Sequence, residues 1–343
     1  MWNDSQQIFD AAGNKIDYNK YDSDINSIRI RRLGKMGKKS RFLLLSLLSA
    51  AAGGGILIGN GIYKKAAIPQ QHTDDDKDFS PEVTKGRMWV RNHQDHRDIY
   101  IDAIDHLRLH ATYIPAQTET HRYALCIHGA YDNSESVGIY ARHYYDKGLN
   151  VLLPDLRGFG KSEGKYVGYG VDDRFDMIEW IYWIIRRDPQ ARIILHGVSM
   201  GAATTLMVSG EHLPENVIAA ISDSAYTSAE EEFADVYERS ENRVLPTKMV
   251  VMLARFEILL RAGYDIRDAR PVEAVKNAVI PILFMHGDSD KMVNPEMCQR
   301  LYDAAECPKE YCMFLGAGHV ACVTAEPEKY WNKIQHFLEK AQF

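Results

Sequence analysis

The sequence predicts an α/β chain, with a doubly wound and mostly parallel sheet, a helical insertion, and one N-terminal transmembrane helix ahead of it. Three observations predict it. From about residue 88 onward, short apolar runs alternate with helix-patterned segments. One stretch, about 224–278, breaks that alternation and reads as helical throughout. Near the N-terminus, residues 42–63 carry no charge at all.

Composition bounds the alternatives. The chain has 343 residues, 45% hydrophobic and 26% charged, which excludes wholesale disorder and a fibrous repeat. A chain of this length buries a large core without disulfide or metal staples. Its 41 basic and 47 acidic residues leave a net charge of −6. That balance argues against nucleic acid as a partner, which calls for a dominant basic surface. The five cysteines, Cys126, Cys298, Cys307, Cys312 and Cys322, contain no CxxC pair and read as mostly free thiols.

The N-terminal region divides into three. Residues 1–41 are polar and lack apolar periodicity, so they read as a tail. Residues 42–63 span roughly 33 Å as a helix, against a bilayer core of about 30 Å. Seven lysines and arginines lie between Arg29 and Arg41, whereas only Lys64 and Lys65 follow before the acidic run at Asp74, Asp75 and Asp76. This bias predicts a single-pass anchor in the cell membrane, with the N-terminus cytoplasmic and the remainder outside. A cleaved signal peptide is the competing reading, but forty preceding residues exceed a usual n-region. A buried soluble helix is the third, and Gly53, Gly54 and Gly55 speak against it. Residues 64–87 read as a linker, and 88–343 as the folded domain.

Within that domain the strand candidates are 107–113, 123–128, 151–154, 192–197, 217–223, 281–286 and 311–315. Runs such as ALCI, NVLL, RIIL and PILF are apolar at nearly every position, as strands buried on both faces require. Helices are expected at 171–187, where Val171, Phe175, Ile178, Tyr182 and Ile185 share one face, and at 295–305 and 327–340, each with proline near its start.

The segment from Ile193 to Gly201 carries the chemistry. It is a buried strand, then Gly197-Val198-Ser199-Met200-Gly201, then a helix-like AATTLMVSG. In a G-x-S-x-G turn between strand and helix, small residues flanking the serine let neighbouring elements pass close, and the hydroxyl is lifted clear of the sheet. It stands at a helix N-terminus, which favours developing negative charge. A serine needs a base to accept its proton. In folds that use this turn, acid and histidine follow the serine in chain order, so the base is sought near the C-terminus. His319 fits, in a glycine-rich loop after a strand; His336 falls within a helix pattern and reads as a surface residue. The histidine in turn needs a carboxylate. The loop after PILFMH offers Asp288 and Asp290; Asp290 is favoured, Asp288 is read as a turn former, and Asp223 is the reserve. Two N–H donors are required for an oxyanion. The expected pair is the amide of Met200 and that of Ala130 in the His128-Gly129-Ala130 turn.

Taken together, ALCIHGAYDN, NVLLPDLRGFGKSEG, ILHGVSMGAATTL, ILFMHGDSDKMV and FLGAGHV resemble the α/β-hydrolase superfamily. The resemblance is to the branch with Bem46-like proteins, monoacylglycerol lipases and serine-aminopeptidase-type hydrolases. It runs in order over roughly residues 88–341. It implies an α/β-hydrolase fold, a triad of Ser199, Asp290 and His319, oxyanion donors Ala130 and Met200, and a cap at about 224–278. It also implies that Asp155, Arg157 and Ser162 are scaffold. The transmembrane helix is not a general property of the family.

The expected function is a membrane-anchored serine hydrolase of carboxylic esters, acyl or lipid-like, working without metal or organic cofactor on a small-molecule substrate. A peptidase using Glu230, Glu231, Glu232 or Asp235 to recognise a charged peptide end is the first alternative, although such a cluster also reads as a solvated helix face. A non-catalytic sensor on the same scaffold is the second.

Overall fold

The computed structural model describes residues 67–69 and 80–343, apart from 242 and 244. The expected tail (1–41) and anchor (42–63) lie outside the described residues, as does most of the expected linker. Among the described residues no helix is long and apolar enough to cross a membrane.

Eight strands form one sheet: β1 (Arg97–Asp102), β2 (Arg108–Ile114), β3 (Arg122–Ile127), β4 (Asn150–Pro154), β5 (Arg192–Val198), β6 (Val217–Asp223), β7 (Ile282–Gly287) and β8 (Lys309–Phe314). Their order is β1-β2-β4-β3-β5-β6-β7-β8. β2 runs antiparallel to β1 and β4, and the pairs from β4 to β8 are parallel. Every residue of β4 and β7 is buried, because helices cover both faces of the parallel part.

Alternation along the strands sorts the core into two layers. On β5, Ile193 and Leu195 point into one layer and Ile194 into the other. The first layer packs under α3 (Asp173–Arg187), α4 (Met200–Ser209) and α8 (Glu296–Ala304). The second packs under α1 (Pro81–Asn92), α2 (Gly138–Asp146), the single turn α9 (Cys322–Ala325) and α10 (Pro327–Lys340). Trp180 of α3 and Tyr330 of α10 are the largest side chains fully buried in each.

Two elements depart from the sequence reading. The expected linker over 64–87 ends early, because Pro81 opens α1 instead of breaking the chain. Ser80 caps that helix by accepting from the Val83 amide, and proline at the first position gives up no helical hydrogen bond. β1 was not anticipated either. Its sequence RDIYID is half charged, since it is an exposed edge strand with only its Ile side chains partly covered by the core.

Between β6 and β7 lie α5 (Ala229–Arg239), α6 (Thr247–Arg261), a 3₁₀ turn (Ile266–Asp268) and the single turn α7 (Pro271–Ala274). Ser228 caps α5 by accepting from the Glu231 amide, and three glutamates fill its first turn, where the helix dipole favours them. The end of the insertion closes back on its start, where the Val272 amide donates to the Thr227 carbonyl (3.1 Å).

Candidate active site

β5 ends at Val198 and α4 begins at Met200, so Ser199 alone makes the turn. It does so at φ 52° and ψ −120°, a conformation costly for any residue with a Cβ, by roughly 1–3 kcal/mol. Two contacts hold it there. Its amide donates to the Asp223 carbonyl at the end of β6 (2.9 Å), and its own carbonyl accepts from the Ala203 amide (3.0 Å). The flanking glycines have a steric cause. A Cβ on Gly197 would collide with the carbonyl of Gly201, and one on Gly201 with the carbonyl of Ile127. The elements therefore cross at backbone contact, and α4 is buried along its whole length.

The structure brings Ser199, His319 and Asp290 together, although they are 120 and 29 residues apart. Ser199 Oγ lies 2.8 Å from His319 Nε2, and His319 Nδ1 lies 2.7 Å from Asp290 Oδ2. The carboxylate beside Nδ1 places the proton there, leaving Nε2 free to accept from the serine hydroxyl. The Asp290 side chain is wholly buried and that of His319 is 17% exposed, so the carboxylate is closed to solvent while the imidazole is partly open to it. Burial alone would raise the Asp290 carboxyl. Hydrogen bonds from His286 and His319, with the amide of Met292, outweigh it and hold the carboxyl far below the usual range.

The neighbouring carboxylates do other work. Asp288 accepts from the Gly316 amide (2.6 Å) and from Ser289 Oγ (3.0 Å), tying its loop to the loop that carries His319. Asp223 accepts instead from Ser224 Oγ and the Tyr330 hydroxyl, both at 2.9 Å. His336 lies exposed on α10.

The 128–130 turn lies against the serine. A Cβ on Gly129 would sit 3.2 Å from Ser199 Cβ. Neither the Ala130 nor the Met200 amide donates to another backbone carbonyl among the described residues. His128 pins the turn: its Nδ1 donates to the Gly129 carbonyl (2.6 Å), and its Nε2 accepts from the Leu156 amide (2.9 Å). Leu156 begins the loop expected to be scaffold. There Asp155 accepts from His110 Nδ1, the Ser134 amide and the Lys161 amide, and Arg157 forks onto Asp176 and also reaches Asp105 and Asp172.

His128 and His286 are the two side chains at this site that sequence reasoning passed over. Both stand at a strand end immediately before glycine, which is the only signal the sequence offers for either. A third histidine, His196, is walled into the core between Tyr144 and Tyr330, and burial lowers it to about 3, so it stays neutral.

A cavity of about 500 Å³ opens beside His319, lined by Val236, Arg239, Lys291, Met292 and Gly318. α5 forms its outer wall, and Arg239 anchors that wall by donating to the Met292 carbonyl. A larger one, about 740 Å³, lies among Asp105, Arg157, Glu163, Tyr166, Asp172 and Tyr264 and is lined by no member of the relay. Of the acidic residues on α5, Glu231 pairs with Arg300 and accepts from Thr227. Glu232 is different. Burial pushes its carboxyl up to about 7, Arg239 pulls the other way, and Asp235, Asp290 and Glu231 add to the rise. Its Oε2 is buried with no hydrogen-bond partner among the described residues.

Among the described residues no group of His, Cys, Asp and Glu side chains is arranged to hold a metal ion. All five cysteines are free, four of them buried and Cys312 partly so.

Residues 125–247 match the family model described as alpha/beta hydrolase fold. A Bacillus subtilis protein, YqkD, is 28% identical over 228 residues, which cover 66% of this chain and 74% of that one. The Arabidopsis thaliana alpha/beta hydrolase domain-containing protein WAV2 is 24% identical over 251 residues, 71% of this chain and 79% of that one. Among solved structures, a Pyrococcus furiosus esterase superposes with a TM-score of 0.59 at 21% identity, covering 80% of this chain and 97% of that one. An Exiguobacterium antarcticum esterase does so with 0.53 at 18% identity, covering 71% and 98%.

Proposed function

We propose that the protein is an α/β hydrolase, and within that superfamily a serine hydrolase of carboxylic esters, a reading supported by the match of residues 125–247 to the alpha/beta hydrolase fold. Ser199 Oγ attacks the ester carbonyl while its proton passes to His319 Nε2. The Ala130 and Met200 amides receive the oxyanion. The tetrahedral intermediate collapses, the C–O bond to the alcohol breaks, and the proton on Nε2 leaves with that alcohol. Water then gives a proton to the same nitrogen and attacks the acyl-enzyme, and the carboxylic acid departs as Ser199 recovers its proton. Asp290 stays ionised throughout and stabilises the imidazolium.

The observation that carries this reading is the pair of contacts at 2.8 and 2.7 Å that converge on one imidazole beneath an accessible cavity. A scaffold kept only for binding has no need to hold its serine in a costly conformation against such a base. The test is labelling by a fluorophosphonate probe together with turnover of p-nitrophenyl esters. Wild-type protein is expected to label and turn over, and Ser199→Ala to do neither. Equal labelling of the two would end this mechanism.

The membrane is the proposed setting, through residues 42–63, with the catalytic domain outside. The acyl cavity beside Met292 and Val236 then suits chains longer than acetate. Added protease should digest the domain in intact cells, and activity should rise from acetate to octanoate esters.

A further inference from the structure

Asp290 Oδ2 is shared by two histidines. His319 Nδ1 approaches it at 2.7 Å from the loop after β8, and His286 Nε2 at 2.9 Å from within β7. The other oxygen, Oδ1, accepts from the amides of Met292 (2.7 Å) and Val293 (3.0 Å). A carboxylate offers about four lone-pair positions, and here each holds a donor.

The surroundings assign the tautomer of His286. Its Nε2 faces two acceptors, Asp290 Oδ2 and, at 3.3 Å, the Val293 carbonyl, so the proton is on Nε2. Its Nδ1 is buried with no partner among the described residues, so a second proton there would have no acceptor. The ring therefore presents a fixed donor at one end and an unused nitrogen at the other. A phenylalanine or leucine would fill this fully buried place in the core without leaving a ring nitrogen unpaired. The donor is what the position requires.

We propose that His286 is a positioning residue for the proposed relay. Its Nε2–H ties the Asp290 carboxylate, which stands on a loop, to the rigid sheet, and keeps Oδ2 aimed at His319. It touches neither substrate nor the reacting serine. The inference rests on the reading of Ser199, Asp290 and His319 given above. Loss of the donor has two effects. Oδ2 becomes more basic, which stabilises the His319 imidazolium, so the acid limb of kcat/KM moves to higher pH. The carboxylate also gains freedom to turn, so kcat falls while KM holds.

The test compares His286→Gln with His286→Met in the full chain. The two side chains are close in length, and only glutamine carries an N–H at the place of Nε2. The methionine variant is expected to lose about tenfold or more in kcat with KM within about twofold, and its acid limb to rise by about half to one pH unit. The glutamine variant should recover most of both. Two outcomes overturn the inference: wild-type kcat and acid limb in the methionine variant, or equal losses in both variants with lowered melting temperatures and no movement of the acid limb. Ser199→Ala is run alongside. Hydrolysis that persists in Ser199→Ala sinks the relay itself, whereas an inactive Ser199→Ala with a wild-type methionine variant sinks only the role of His286.

Discussion

The amide of Ser199 donates to the carbonyl of Asp223, 2.9 Å away, so the turn between β5 and α4 is strapped to the end of the neighbouring strand. The strap explains how φ 52° persists at a residue with a Cβ. It engages backbone on both sides, so it survives replacement of the Ser199 side chain.

Stability and activity should therefore separate at this position. Ser199→Gly and Ser199→Ala both lose the proposed nucleophile. Glycine tolerates positive φ and alanine does not, so the glycine variant should unfold at higher denaturant, by about 1 kcal/mol. Chemical denaturation of the two inactive variants reads this directly, and equal midpoints would show that the turn relaxes.

Asp290 and Asp288 should part in kind. Asp290→Asn places an amide against His319 Nδ1 and disturbs the tautomer, so kcat should drop by roughly a thousandfold to ten-thousandfold with the fold intact. Asp288→Ala releases the Gly316 amide and loosens the histidine loop, and should cost about tenfold in activity and about 1–2 kcal/mol in stability. Steady-state kinetics beside melting curves distinguishes them.

Glu232 gives a pH signature. Its carboxyl titrates at about 7 in the fold, against 4.5 as the ordinary value. A raised carboxyl means that the fold favours the protonated form. That contribution to stability is fully present below pH 4.5, is lost as pH rises toward 7, and stays lost above it. Glu232→Gln removes the ionisation. The variant should be more stable than wild type at pH 8, on the order of 2 kcal/mol, with the gap closing toward pH 4.5. Thermal melts at both ends of that range decide it, and a gap independent of pH would count against the assignment.

The legible parts of the sequence were those with a local cause. The turn at Ser199 shows because its two glycines sit at fixed offsets from the serine, Gly197 clearing the Gly201 carbonyl and Gly201 clearing the Ile127 carbonyl of the neighbouring strand. The parallel strands show because burial on both faces leaves continuous apolar runs. β1 did not, because an edge strand has little apolar face to display. His128 and His286 did not, because a histidine before a glycine looks the same whether it pins a loop or merely fills space; their partners, Leu156 and Asp290, become visible only once the chain has folded. Spacing alone also left Asp288, Asp290 and Asp223 as neighbours in type, and they separate only through what each one accepts.

The order in which the groups arrive has a temporal consequence. β8 is the last strand and the far edge of the sheet, and the proposed base sits just beyond it. A nascent polypeptide that has already folded its first seven strands holds Ser199 on a finished turn yet lacks the proposed base. On the proposed mechanism it stays silent until residue 319 has been made, and a product truncated before that residue is expected to be inert toward esters.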